Sequence, residues 1–175
     1  MKPNQNKIQK ICFGALFAAI ICVCTLISIP LPIGYFNLGD AAVLLSAWTL
    51  GPLYGVVAAA IGSALSDLIM GYVIYAPATA VIKALMALCA YSISKALLGV
   101  IKKPSLFFIP RAISATVAEA VMVVGYFVYE FFALSYGFGA VASVLGNVTQ
   151  GVCGIVIATT VSVLLQRRTH KNGLI

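Results

Sequence analysis

The sequence predicts an all-α integral membrane protein, a compact six-helix transmembrane bundle with both termini in the cytoplasm. Hydrophobic residues make up 62% of the 175 positions, charged residues only 9%, and the mean hydropathy is +1.09. Soluble domains carry about 25% charged residues, so this chain lacks the side chains that a water-exposed surface needs. Apolar stretches of about 20 residues recur along the chain, as a helix crossing a hydrocarbon core about 30 Å thick requires.

The first two helices are separated by a segment that contains two prolines. We expect helix 1 at 8–28, because Pro30 and Pro32 lack amide donors and have a fixed φ. Helix 2 begins near Gly39 and ends at Gly51. Its 39–51 span is only ~20 Å long at 1.5 Å per residue. Helix 2 is therefore expected to be tilted, broken or extended into the preceding loop.

The remaining four helices are predicted at 52–70, 77–98, 107–132 and 140–166. Pro52 and Pro77 lie at the first turn of their helices, where the missing amide hydrogen is tolerated. A polar turn follows at 102–105, and a glycine-containing loop precedes the last helix. No charged or Pro-rich linker divides the chain, so residues 1–175 are expected to form a single domain.

The distribution of basic residues predicts the orientation. With the N-terminus inside, the three outer loops at 29–39, 71–76 and 133–139 contain no lysine or arginine. The inner side then receives Lys2, Lys7, Lys10, Lys95, Lys102, Lys103, Arg111, Arg167, Arg168 and Lys171. Basic residues concentrate on the cytoplasmic side of membrane proteins, so this pattern explains the net charge of +7 without nucleic-acid binding.

Five ionisable residues fall within or at the ends of apolar helices. They are Asp40, Asp67, Lys83, Glu119 and Glu130. A charge at the bilayer centre costs about 3 kcal/mol, so such groups are expected to face the bundle interior or a wet cavity. All but Glu119 are predicted to lie in the outer half of the membrane.

Helical spacing groups these polar residues into stripes. Glu119, Tyr126 and Glu130 share one face of helix 5, and Ser143, Asn147, Gln150 and Gly154 share one face of helix 6. We therefore predict one shared cavity that opens to the outer surface. The candidate substrate-binding residues are Asp40, Asp67, Tyr75, Lys83, Glu119, Tyr126, Glu130, Asn147 and Gln150.

Each candidate also has a structural interpretation that the sequence leaves open. Asp40 could be a helix N-cap, and Asp67 could form a structural ion pair with Lys83. Glu130 could face headgroups, and Asn147 and Gln150 could form interhelical hydrogen bonds. Glu119, the deepest of the group, is expected to have a functional or coupling role.

Several sites are not expected. The chain lacks a phosphate-binding G-x-x-x-x-G-K-[ST] loop, and its single histidine, His170, lies in the basic tail. We therefore expect no catalytic residue, no metal, no cofactor and no ATPase activity of its own. Ala15 and Ala19 are four residues apart on helix 1, a spacing of small residues that allows close helix–helix contact in lipid.

The block from residue 36 to 83 resembles the S components of energy-coupling-factor (ECF) transporters, nearest to the riboflavin/hydroxymethylpyrimidine/pyridoxine-like group. The resemblance rests on Phe36–Leu45, Leu50–Gly55, Gly62–Leu68, Tyr75–Thr79 and Lys83. It implies binding of a vitamin-like substrate at the outer face of a bacterial plasma membrane. It also implies docking, through Ala15 and Ala19, on a transmembrane coupling subunit with two ATPase subunits, which drive uptake.

The favoured ligand is of the pyridoxine or hydroxymethylpyrimidine type, with riboflavin or a nucleobase precursor as alternatives. Two other functions compete with this one. The chain could be a self-sufficient proton-coupled carrier with Glu119 or Asp67 as carrier site. It could also be an intramembrane enzyme using two carboxylates, although no nucleophile with a base is evident.

Overall fold

The computed structural model describes residues 3–31, 34–101 and 106–171, with side chains described from Lys7 to Gln166 outside 29–36 and 102–105. Its elements are α1 (Pro3–Leu26), β1 (Ser28–Leu31), β2 (Gly34–Asn37), α2 (Gly39–Ile69), α3 (Ala76–Val100), α4 (Phe108–Val128) and α5 (Val141–Lys171). A π-helical turn at Tyr129–Ala133 follows α4, and a 3-10 turn at Gly137–Ala140 precedes α5. Five helices in the described ranges are long and apolar enough to cross a membrane.

The helix α2 reverses direction at Gly51, whose φ of 81° and ψ of −170° are not helical. The Ser46 hydroxyl donates to the carbonyl oxygen of Gly55 at 3.3 Å. Nine residues of a continuous helix would separate these groups by ~13 Å. The segments predicted as helices 2 and 3 are therefore two halves of α2 that pack back to back, which is why five candidate spans are found where six helices were predicted.

Close backbone contact holds these halves to each other and to α1. A Cβ atom on Gly55 would lie 2.6 Å from the Ser46 carbonyl oxygen, and one on Gly62 would lie 2.5 Å from that of Ala18. No side chain fits at such distances, so the glycines allow the helices to approach. Small residues serve the same purpose in membrane helices generally.

The connection between α1 and α2, predicted as an irregular loop, contains a short antiparallel hairpin. Its strands β1 and β2 pair with Ser28 opposite Asn37 and Pro30 opposite Tyr35. Proline is tolerated there because each strand of a two-stranded ribbon has an unpaired edge. The hairpin returns the chain to the start of α2 and brings Asn37 next to α5.

The bundle has two distinct ends. We call the end with the β1–β2 hairpin the hairpin end; α1 ends there, and α3 and α5 begin there. The opposite end, where α1 begins and α5 finishes, is the termini end. The predicted inner residues Lys7, Lys10, Lys95 and Arg111 lie toward the termini end of their helices, whereas Lys2, Lys102 and Lys103 lie outside the described residues.

At the termini end, Arg111 ties three helices together. Its guanidinium lies 4.9 Å from the centroid of the Trp48 ring and 5.0 Å from that of Phe107. It also donates to the Ser94 hydroxyl at 2.9 Å, while the Trp48 indole donates to the carbonyl oxygen of Ala90 at 3.3 Å. These contacts connect α2, α3 and α4 at this end of the bundle.

Candidate functional site

A cavity of about 310 Å³ lies at the hairpin end. Polar and aromatic side chains from α1 to α5 and their connections surround it. Its lining residues are Thr25, Ser28, Asn37, Asp40, Ser63, Asp67, Met70, Tyr72, Tyr75, Thr79, Lys83, Tyr126, Glu130, Asn147 and Gln150. A space of this size is at the lower end of the roughly 300–1,000 Å³ typical of small-molecule sites.

The floor of the cavity is a network centred on Asp40. The Lys83 ammonium forms an ion pair with one carboxylate oxygen, and both side chains are buried. The amide of Gln150 donates to the other oxygen at 2.6 Å, and Asn37 donates to Gln150 at 3.0 Å. Removing one partner of a buried pair typically costs 3 to 5 kcal/mol, so we infer that this network strongly constrains α2, α3 and α5.

This network decides two of the alternatives that the sequence left open. Asp40 is not the N-cap of α2, because that position belongs to Leu38 and has no side-chain cap hydrogen bond. The partner of Lys83 is Asp40 and not Asp67. The reversal of α2 at Gly51 brings both carboxylates to the same end of the bundle, and the Lys83 ammonium reaches the one at the start of the helix.

Two hydroxyl-bearing residues extend the floor on the α3–α4 side. The Tyr126 hydroxyl donates to Thr79 Oγ1 at 3.0 Å. The Lys83 ammonium lies 5.6 Å from the centroid of the Tyr126 ring, within cation–π distance. The ring therefore faces a cation on one side of the cavity, and its orientation is fixed by the Thr79 hydroxyl.

The wall near the mouth is built around Glu130. Its carboxylate accepts hydrogen bonds from the Tyr75 hydroxyl at 3.4 Å and from the Ser143 hydroxyl. Glu130 belongs to the π-helical turn at Tyr129–Ala133, and such turns are frequent at functional sites. Burial and the nearby Glu130 carboxylate raise the pKa of Tyr75, so the phenol keeps its proton and donates it to this bond.

Another part of the lining contains two polar atoms that have no hydrogen-bond partner among the described residues. They are Ser63 Oγ and Asp67 Oδ2, both buried and one helical turn apart on the second half of α2. Both residues line the cavity. A buried polar atom without a partner costs about 1–3 kcal/mol, so this part of the lining offers one donor and one acceptor that a bound molecule would satisfy.

The structure brings together all of the sequence-predicted site residues except Glu119. Glu119 lies on the same face of α4 as Tyr126, but the seven residues between them place it ~10 Å deeper. It is buried below the Asp40–Lys83 pair and lines a separate, apolar groove between α4 and α5. The structure therefore does not bring Glu119 into the lining of the cavity with the other candidates, and its expected functional or coupling role stays a prediction.

Seven lining residues were not among the candidates predicted from the sequence: Thr25, Ser28, Asn37, Ser63, Met70, Tyr72 and Thr79. Thr79 could have been found, since it lies four residues after Tyr75 and four before Lys83 on one face of α3. Asn37 could not, because its place beside Gln150 depends on the hairpin. Within the described residues, no group of three histidine, cysteine or acidic side chains could hold a metal ion.

Ala15 and Ala19 lie outside this site, on the exposed face of α1. The opposite face of α1 packs on α2 through Ala18 and the buried Ile21. Large apolar residues flank the two alanines, including Leu16 and Ile20, which are 53% and 40% exposed. This strip of α1 therefore faces outward from the bundle.

Comparison with known proteins agrees with this architecture. The family model described as "ECF-type riboflavin transporter, S component" matches residues 5–167. A protein of Pyrococcus woesei, described as "Uncharacterized protein in gap 3'region", is 32% identical over 152 residues. That alignment covers 86% of this chain and 96% of the relative. The chain therefore belongs to the ECF-type riboflavin transporter S component family, a family of multi-pass membrane proteins.

Proposed function

We propose that this protein captures a small, planar, vitamin-like molecule in the cavity at the hairpin end and delivers it into the cell. Its family supplies the substrate-binding subunits of vitamin transporters and is not an enzyme family. The observation that carries the proposal is the pair of buried polar atoms Ser63 Oγ and Asp67 Oδ2, which have no hydrogen-bond partner among the described residues. Both residues line the cavity.

The lining favours a ring that carries hydroxyl groups. Tyr72, Tyr75 and Tyr126 offer aromatic surface, and Asp67 offers an acceptor for a donor such as a hydroxyl. The modest volume favours a single-ring ligand of the pyridoxine or hydroxymethylpyrimidine type. Riboflavin, which the family description names, and a nucleobase precursor are the alternatives.

The proposed orientation places the hairpin end outside and both termini in the cytoplasm, with the halves of α2 counted as two of six helices. It is supported by the excess of lysine and arginine predicted for the termini end. The cavity then faces the exterior of the plasma membrane, where a nutrient would be captured.

Transport would require partners that supply energy, because the sequence contains no phosphate-binding loop of its own. We propose a transmembrane coupling subunit that contacts α1 at Ala15 and Ala19, together with two ATPase subunits. The exposure of both alanines supports this contact, since small side chains let a second helix approach closely.

Ligand binding is tested on the purified chain alone. Thermal unfolding is measured with pyridoxine, hydroxymethylpyrimidine, riboflavin and a nucleobase precursor, and native mass spectrometry searches for a co-purified molecule. A ligand at 100 times its Kd should stabilise the protein by about 2.7 kcal/mol. If all four compounds leave the melting temperature unchanged and no small molecule co-purifies, the proposal is wrong.

Coupling is tested with Ala15→Leu/Ala19→Leu. We expect loss of ATP-dependent uptake in cells that contain the coupling module, with unchanged ligand affinity of the purified chain. Ala96→Leu, also at an exposed alanine, is the matched control and should transport normally. Uptake by the double variant at the wild-type rate, or uptake without ATP in liposomes containing this chain alone, would contradict the partnership.

A further inference from the structure

Glu119 is a buried carboxyl group that the cavity does not use. Its side chain is 4% exposed, and neither carboxyl oxygen has a hydrogen-bond partner among the described residues. Opposite it, α5 has glycines at 151 and 154. A Cβ atom on Gly154 would lie 2.7 Å from Glu119 Oε1, and one on Gly151 would lie 3.2 Å from Oε2. The two glycines leave just the space that this carboxyl occupies.

Glu119 lies directly beneath the ion pair in the cavity floor. The same Cβ on Gly154 would be 3.2 Å from the Cβ of Asp40, so Glu119 and Asp40 approach the same glycine. The charged groups that act on Glu119 are Asp40 from α2 and Lys83 from α3. On α4 itself, Tyr126 lies two turns away beside Lys83. On α5, the described residues that share the groove with Glu119 are Gly151 and the apolar Val148, Val152 and Ile155, and none of them is titratable.

The charges around Glu119 indicate whether its carboxyl group is protonated in the ligand-free protein. Asp40 and Lys83 neutralise each other. An ionised Glu119 would add a negative charge to a buried side chain that has neither a hydrogen bond nor an ion-pair partner among the described residues. A buried carboxyl group in that situation takes up a proton instead.

We propose that Glu119 is a positioning residue for the ligand site, acting as a reserve counter-ion for Lys83. It holds a proton while Asp40 pairs with Lys83. When Asp40 turns to accept a hydrogen bond from a ligand, the O–H bond of Glu119 breaks and its proton passes by way of the neighbouring Asp40 carboxylate, which lines the cavity, to water there. The new Glu119 carboxylate then pairs with Lys83. Lys83 keeps its own proton throughout. The ligand step rests on the proposed function, whereas the exchange of partners does not.

Infrared spectroscopy of the ligand-free protein at neutral pH tests the resting state. The carboxylic acid C=O band of Glu119 should be present in the wild type and lost in Glu119→Gln. It should remain in Asp67→Asn, the control that removes a different buried carboxyl group. In Asp40→Asn the Glu119 band should disappear, because Glu119 ionises to pair with Lys83. It should return in Asp40→Asn/Lys83→Met, where no cation remains to be neutralised.

Thermal unfolding gives an independent readout. Glu119→Gln alone should shift Tm by no more than about 2 °C, whereas Asp40→Asn/Glu119→Gln should lower it by more than about 10 °C, because Lys83 loses both partners. Adding Lys83→Met to that pair should restore most of the loss, which shows that the damage is an unpaired charge and not faulty packing.

Two results would overturn the proposal. One is a wild-type spectrum in which Glu119→Gln removes no acid band, since Glu119 would then be ionised at rest. The other is an equal Tm for Asp40→Asn and Asp40→Asn/Glu119→Gln. Neither measurement uses a ligand, so failure here is distinguishable from failure of the vitamin-binding proposal.

Discussion

The two ends of this bundle use polar residues in opposite ways. At the termini end, the Arg111 guanidinium lies against the Trp48 and Phe107 rings and donates to Ser94, although its Nε has no partner among the described residues. At the hairpin end, charged side chains surround a cavity of about 310 Å³. At the termini end, contacts between helices offset the free-energy cost of removing charge from water. At the hairpin end, part of that cost is not offset within the protein, and a bound ligand can offset it.

The comparison also separates two kinds of residue within the hairpin end. Asp40, Lys83 and Gln150 satisfy one another and hold three helices together. Ser63 and Asp67 each retain an atom without a partner. We therefore expect the first group to control stability and the second to control affinity, and the first two predictions below each test one side of that division.

The largest effect is expected for Lys83→Ala. It leaves the Asp40 carboxylate buried without its cation, which should lower the free energy of unfolding by about 3–5 kcal/mol. Thermal or denaturant unfolding in mild detergent measures it. Lys95→Ala is the matched control on the same helix, where the lysine is exposed and should contribute less than about 1 kcal/mol. Equal losses in the two variants would refute a structural role for the pair.

Asp67→Asn is expected to affect binding and leave folding nearly unchanged. A hydrogen bond to a charged acceptor contributes about 1.5–3 kcal/mol, so affinity should fall by about 10- to 100-fold. Tm should barely change, because Asp67 Oδ2 has no partner to lose. Calorimetric titration with the ligand identified in the thermal screen checks both, with Thr116→Ala on the exposed face of α4 as control. A large loss of stability with intact affinity would place Asp67 in the first group.

Gly55→Ala tests the packing near the reversal of α2. The added methyl group would lie 2.6 Å from the Ser46 carbonyl oxygen, and overpacking of this kind costs about 1–3 kcal/mol. Gly99→Ala provides the matched comparison, because nothing lies within 4 Å of the new Cβ. That variant should gain about 0.5–1 kcal/mol from better helix propensity. If Gly55→Ala were also stabilising, the two halves of α2 would not be in close contact.

Much of the fold followed from local sequence features. Prolines and glycines at 30, 32, 51, 52 and 77 marked the helix ends within a few residues, since their effect on the backbone does not depend on context. The hairpin was not predicted, because the prolines in the segment that forms β1 and β2 indicate only that the helix ends there.

The sequence predicted most of the charged residues of the candidate site, but it did not predict which of them pair with each other. Ionisable residues in apolar helices must face inward, which identified Asp40, Asp67, Lys83 and Glu130 as neighbours. Which carboxylate meets Lys83 depends on the rotation and depth of each helix, and helical spacing does not specify either. The sequence did predict that Glu119 lies deeper than the other candidates, but not that it lines a separate groove between α4 and α5.

By itself, the sequence determined that this chain lies in a membrane, because lipid solvates apolar side chains and rejects charged ones regardless of the detailed fold. It also determined which few polar residues had to be sheltered. Only the tertiary structure decided that Asp40 pairs with Lys83, that Ser63 Oγ and Asp67 Oδ2 have no partner among the described residues, and that Glu119 lies below the ion pair. Those outcomes depend on distances of a few ångströms between helices, and such distances are set by the packing of the whole bundle.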